Sequence, residues 1–206
     1  QWNVAQSLCD WDALEHCERA LRERDGVLSP FAALAFADDP ALHSDFAQKS
    51  WKAESRIQAA TVHRRGRHGR IRIAYLSADF HEHATAYLMA ELFERHNRER
   101  FEWIAISWGP DDGSRMRRRL VEGFDQFWDV RGQDAAQIAH RMMVEEVDIA
   151  VDLKGHTESA KPELFLYKPA PIIVNYLGYP GTMGASVYDY VIGDAIVTPF
   201  EAAPYY

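Results

Sequence analysis

Cysteine, positive charge and long apolar runs are all scarce in this chain, and each shortage excludes a class of protein. The two cysteines, Cys9 and Cys17, stand eight apart in a helix-like stretch. That spacing suits neither a zinc site nor a disulfide framework, so a reducing cytoplasm is the expected setting. No apolar run approaches the ~18–20 residues of a membrane-spanning helix, and no signal-peptide pattern opens the chain, so no membrane partner is expected. The formal net charge of −8 argues against a nucleic-acid partner, because neutralising phosphates needs an excess of Lys and Arg. One basic stretch, His63-Arg64-Arg65-Gly66-Arg67-His68-Gly69-Arg70, reads as a solvated linker rather than an anion patch.

What is present is ordinary globular material. The chain has 206 residues, 47% of them hydrophobic and 26% charged, enough for one or two domains with a real core. It begins at Gln1 without a Met and stops at Tyr206, and is expected to be a piece of something longer.

The pattern changes near residue 68. Before it, Trp11, Leu14, Cys17 and Leu21 recur at helical spacing, with Gly26 placed to end that helix. A second helix is predicted from Pro40, capped by Asp38 or Asp39, with Leu42, Phe46, Ala53, Ile57 and Ala60 as its apolar stripe. Residues 1–68 therefore read as a helical connector. From residue 69 onward, strand-like and helix-like segments alternate. The strands are predicted at Ile71–Ser77, Phe101–Trp108, Gln126–Val130, Val147–Asp152, Ile172–Tyr176 and Tyr188–Ile192. Helices are predicted at Ala84–His96, Ser114–Val121, Asp134–Glu145 and Lys161–Leu166. Near-continuous apolar strands between helices imply an α/β, Rossmann-like, doubly wound and mostly parallel sheet over 69–206.

Three stretches hold the residues most able to do chemistry. The first strand runs into Asp79-Phe80-His81-Glu82-His83-Ala84-Thr85, at the sheet edge where ligands gather in open α/β folds. A histidine such as His83 can exchange a proton near neutral pH. Asp79 can orient that ring or relay a proton, or it can simply cap the following helix. No Gly-x-Gly-x-x-Gly follows this strand, which disfavours a dinucleotide dehydrogenase. The second stretch, Gly178-Tyr179-Pro180-Gly181-Thr182-Met183-Gly184, can bring backbone amides close to a ligand's oxygens, or serve as a structural turn. It is not a Walker A loop. The third, Asp152-Leu153-Lys154-Gly155-His156, can offer the charge of Lys154 and His156 to an anionic substrate, while Asp152 makes a local hydrogen bond. Asp111-Asp112-Gly113 reads as a turn, and Asp10-Trp11-Asp12 as a helix cap rather than a metal-binding Asp-x-Asp, so no metal site is expected.

Taken in order, Ser77–Leu88, Gly109-Pro110-Asp111-Asp112-Gly113-Ser114, Lys168-Pro169-Ala170-Pro171 and Asn175–Thr182 resemble the bacterial branch of the O-linked N-acetylglucosamine transferase family, which includes the plant SPINDLY proteins. The resemblance covers residue 70 to the end, and extends more weakly back through Cys9-Asp10-Trp11 and Asp38-Asp39-Pro40, similar to the helices that follow tetratricopeptide repeats. It implies the first lobe of an inverting, metal-independent glycosyltransferase of GT-B architecture, inactive without a C-terminal lobe that holds most of the nucleotide sugar. No cofactor is implied beyond that donor, for which UDP-N-acetylglucosamine is the expectation, and the partner is a protein or peptide acceptor. By the family pattern His83 is the active-site histidine, Asp79 its preceding aspartate and Thr85 the threonine near the sugar. Ala84 stands where the family has proline, Glu82 replaces another polar residue, and His156 occupies an aromatic position. His83 either takes the acceptor's proton or positions the reactants while Asp79 relays it. Lys154 and the loop with Tyr179, Pro180, Gly181 and Thr182 are this lobe's candidates for substrate contact. Two other readings stay open: an epimerase or hydrolase on the same scaffold, and a non-enzymatic flavodoxin-like interaction module.

Overall fold

The computed structural model describes residues 2–23, 28–36, 38–52 and 69–206. Gly26, Ala53, Ile57, Ala60 and the basic run 63–68 lie outside the described residues.

Among the described residues, four helices precede the sheet: α1 (Trp2–Ser7), α2 (Trp11–Glu23), α3 (Pro30–Ala33) and α4 (Pro40–Lys52). Asp10 accepts from the Ala13 amide at 3.0 Å, which is capping, as the sequence suggested for Asp10-Trp11-Asp12. Of the two aspartates offered as cap for α4, Asp39 does it, taking the amides of Ala41 and Leu42 at 3.0 and 3.2 Å. Leu28, Ala33, Phe36 and Phe46 form a small core, with Leu14, Cys17 and Leu42 packed against it. Trp11 stays 72% exposed and takes no part. Cys9 and Cys17 are free thiols.

Six strands follow, β1 (Ile71–Ser77), β2 (Phe101–Ser107), β3 (Gln126–Asp129), β4 (Ile149–Asp152), β5 (Ile172–Tyr176) and β6 (Tyr190–Ile192), in spatial order β3-β2-β1-β4-β5-β6. Every adjacent pair is parallel. Helices α5 (Ala84–Glu94), α6 (Arg115–Gly123), α7 (Ala135–Val144) and α8 (Glu163–Leu166) lie between strands, and a 3₁₀ turn spans Phe200–Tyr205. The predicted strands start and stop within two residues of the observed ones, and the sheet is wholly rather than mostly parallel.

Alternation along β1 explains the layering. Ile73 and Tyr75 join one core with Met89, Phe93 and Leu120, whereas Ala74 and Leu76 join the other with Ile138, Met142 and Leu164. Period-2 side chains on a strand buried on both faces produce this arrangement. Helices α5 and α6 therefore cover one face, and α7 and α8 the other. The order 3-2-1-4-5-6 reverses between β1 and β4, and in such sheets the crevice beyond the carboxyl ends of those two strands is where ligands bind.

No described helix is long and apolar enough to cross a membrane.

Candidate functional site

The chain leaves β1 and β4 side by side, with Leu76 in register with Asp152. Asp79 and Lys154 thus emerge as neighbours, and the Lys154 Nζ donates to Asp79 Oδ2 at 2.7 Å. The two side chains are only 6% and 9% exposed. The Asp79 amide donates to Ser77 Oγ, fixing the loop's first turn. Asp152 is buried under Tyr188 and accepts from the Lys154 and Gly155 amides at 2.8 and 3.1 Å. Burial pushes its carboxyl above the ordinary range.

His83, not Asp79, caps α5. Its Nδ1 accepts from the Thr85 amide at 3.2 Å, satisfying one of the first-turn donors that a helix leaves unpaired. The same nitrogen lies 3.7 Å from Asp79 Oδ2. Only one of these contacts can use it at a time, and the shorter cap bond is the one formed. The helix starts at Ala84 without the proline of the family pattern.

Neighbouring loops brace this cluster. Asp112 Oδ2 accepts from the Glu82 amide and Oδ1 from the Ser114 amide. These bonds hold the Asp112 carboxyl down at about 2, so Asp111-Asp112-Gly113 works as a turn that pins the histidine loop. Glu82 also accepts from the Tyr87 hydroxyl. Arg117, 4% exposed, donates to the Phe80 carbonyl at 2.9 Å and to Ser107 Oγ at 2.8 Å. Gly109 passes so close to the Ala78 carbonyl that a Cβ there would sit 1.7 Å from the oxygen. Sequence reasoning singled out neither Arg117 nor a steric need at Gly109. A buried arginine is invisible without knowing which helix face turns inward. Beside the cluster a cleft of about 510 Å³ is lined by Asp79, His81, Trp108, Pro110, Arg131 and Lys161.

The remaining candidates gather elsewhere. After β5 the chain turns tightly, Gly178 N–H to Tyr176 O at 2.8 Å, around Leu177 at φ 67°. A Cβ on Gly178 would meet the Leu153 carbonyl oxygen at 1.8 Å, so this glycine serves the packing of one loop on the next. Tyr179 is 2% exposed, and its hydroxyl has no hydrogen-bond partner among the described residues. His156 Nε2 meets the Met183 carbonyl at 3.1 Å, and its ring makes edge contacts with Trp51 and Tyr179. Burial lowers its pKa, leaving it neutral at pH 7. Trp51 Nε1 donates to the same Met183 carbonyl at 2.6 Å, fastening α4 to the glycine loop. Thr182 Oγ1 accepts from the Gly184 amide, and exposed Pro180 accepts from the Tyr206 hydroxyl through its carbonyl. Gly181 and Thr182 line a cavity of about 680 Å³ that none of Asp79, His83 or Lys154 borders. Asn175, buried with its carboxamide unpartnered among the described residues, lines that same cavity. The structure therefore brings Asp79, His83, Thr85 and Lys154 together and sets His156, Tyr179, Gly181 and Thr182 apart from them.

Residues 52–206 match the model of glycosyl transferase family 41. The chain belongs to that family. A relative in Arabidopsis thaliana, named probable UDP-N-acetylglucosamine–peptide N-acetylglucosaminyltransferase SEC, is 33% identical over 99% of this chain and 23% of its own length. A Caenorhabditis elegans UDP-N-acetylglucosamine–peptide N-acetylglucosaminyltransferase is 36% identical over 65% of this chain and 12% of its own. Among solved structures, a Thermobaculum terrenum O-GlcNAc transferase mutant, K341M, superposes with a TM-score of 0.74 at 25% identity, covering 95% of this chain and 38% of that one. This chain thus spans less than a quarter of the curated relatives' length. The Rossmann-like reading and the resemblance to the O-linked N-acetylglucosamine transferase family both stand.

Proposed function

We propose that this chain supplies the acceptor-side half of a protein O-glycosyltransferase, moving a sugar from a nucleotide sugar to a Ser or Thr hydroxyl with inversion and without a metal. The observation that carries the reading is the His83–Asp79–Lys154 cluster, which stands at the switch point of a family 41 lobe beside an open cleft. The relatives' names favour UDP-N-acetylglucosamine as donor and a protein or peptide as acceptor. A second lobe of the longer protein would hold most of the donor, and this chain alone would turn over little or none.

In such a transfer the hydroxyl oxygen bonds to the anomeric carbon and loses its proton, while the diphosphate departs with the bonding pair. His83 is the group within reach of solvent, its side chain 41% exposed, and its place at the loop tip suits it to hold the acceptor hydroxyl or a sugar oxygen. The charge growing on the diphosphate needs donors already aimed at it. Lys154 is held by Asp79 inside the protein, so the reading assigns that task to backbone amides and to the second lobe.

The test is sugar transfer by the longer chain carrying His83→Ala at matched folding, with UDP-N-acetylglucosamine and lysate protein as acceptor. Transfer is expected to fall by on the order of 10²-fold or more. Equal labelling in both proteins removes His83 from the reaction. Absence of labelling in the native protein removes the transferase reading.

A further inference from the structure

We propose that Lys154 is a positioning residue that acts through Asp79 to keep His83 in the tautomer with its proton on Nε2. A neutral imidazole carries one N–H, and the hydrogen bond made by one nitrogen fixes where the proton sits. Two partners contend for Nδ1. The Thr85 amide needs a lone pair there and has one, at 3.2 Å. Asp79 Oδ2 needs a proton there and waits at 3.7 Å. An unopposed carboxylate that close would draw the proton to Nδ1 and turn Nε2 into a free base, the arrangement of a Ser-His-Asp triad. Here the same Oδ2 already accepts from Lys154 at 2.7 Å. Both side chains are almost sealed from water, where an ammonium cancels most of a carboxylate's pull because little solvent screens the pair.

The other groups around the ring do not replace Asp79. His81 faces it edge-on at 5.7 Å between ring centroids. Glu82 and Asp112 are tied to the Tyr87 hydroxyl and to the Glu82 and Ser114 amides. Lys154 thus withholds Asp79 from His83, and the ring meets its ligand as a hydrogen-bond donor rather than as a base. The tautomer stands without the transferase reading, but its consequence for catalysis rests on it: the resting ring orients an oxygen and does not take the acceptor's proton.

The experiment is ¹⁵N–¹H correlation of the intact, histidine-labelled chain across pH 5–9, with the His83 signals assigned by their loss in His83→Gln. The native chain is expected to show Nε2–H. In Lys154→Met the signals change to Nδ1–H, because the uncompensated carboxylate then takes the ring proton as its hydrogen-bond donor. The double variant Asp79→Asn/Lys154→Met returns the native pattern, which a general structural disturbance does not. Nδ1–H in the native chain overturns the proposal without any variant, as does an unchanged tautomer in Lys154→Met. No step depends on transfer, so failure of the sugar assay and failure of this proposal are told apart.

Discussion

The loops after β1 and β5 leave the same edge of one sheet, the first carrying His81 and His83 and the second a tight turn and Thr182 and packing against His156 of the β4 loop, yet they do opposite work. In the first, His83 keeps 41% of its side chain exposed over a buried ion pair. In the second, Tyr179 and Met183 are buried against Trp51, and His156 closes the gap between them and β4. The first loop is stiff beneath and open on top, while the second is packed into its own protein at Tyr179 and Met183 and borders a cavity only at its glycine end. Polar residue types at a strand end thus locate a place where chemistry can occur, and packing density decides whether a ligand or the protein itself takes it.

The sharpest test of the packed loop is Gly178→Ala. Its Cβ would fall 1.8 Å from a main-chain oxygen that no rotamer can move, so unfolding free energy is expected to drop by about 3 kcal/mol or more, read as a shift in urea midpoint. A midpoint shift of under ~0.5 kcal/mol, the range of ordinary surface changes, would mean the loop is free to open, and the contrast would weaken.

The two histidines should then separate by readout. His156→Ala removes a ring wedged between Trp51 and Tyr179 and is expected to cost about 1–3 kcal/mol of stability. His83→Ala removes one helix cap and is expected to cost about 1 kcal/mol, its main effect falling on transfer. The same pair of thermal melts checks both, and a larger loss for His83 than for His156 would reverse the assignment.

A smaller effect is expected in acid. His96 is stacked on Trp103 with ring centroids 3.4 Å apart, and burial together with Arg98 lowers its pKa to about 4. His156 is lowered in the same direction by burial. The His96 ring stays neutral in the folded chain while the unfolded chain binds a proton near pH 6.5, so stability falls as pH drops from ~6.5 towards ~4, with His156 acting in the same direction. The loss at His96 is on the order of 1–3 kcal/mol, discounted for its partial exposure. Urea midpoints at pH 7 and pH 4.5 measure it. A flat profile over that window would show that the His96 ring reaches solvent.

Much of this was legible along the chain. The six strands announced themselves as apolar runs at helix-separated spacing, because strands buried on both faces leave no room for polar residues. The turns at Asp111-Asp112-Gly113 and the cap at Asp39 were legible because they are local hydrogen bonds within four residues. The charge carried by Lys154 was visible too, but not its destination. It was read as facing an anionic ligand, and it lies against Asp79, 75 residues away. Only the adjacency of β1 and β4, which no segment states alone, brings those two groups together. The cap on α5 was left open for a related reason: Asp79 is the better capping residue by type, but the helix begins one residue after His83, which caps it.

The sequence by itself determined the layered α/β architecture, the family, and the loop in which His83 and Asp79 sit, since periodicity and short motifs are properties of neighbouring residues. Tertiary structure alone decided which strands adjoin at the switch point, that Lys154 answers Asp79, and that His156 and the glycine loop fasten α4 to the sheet. Those outcomes depend on strand order and burial, and a buried group's chemistry is set by whatever distant segment closes over it.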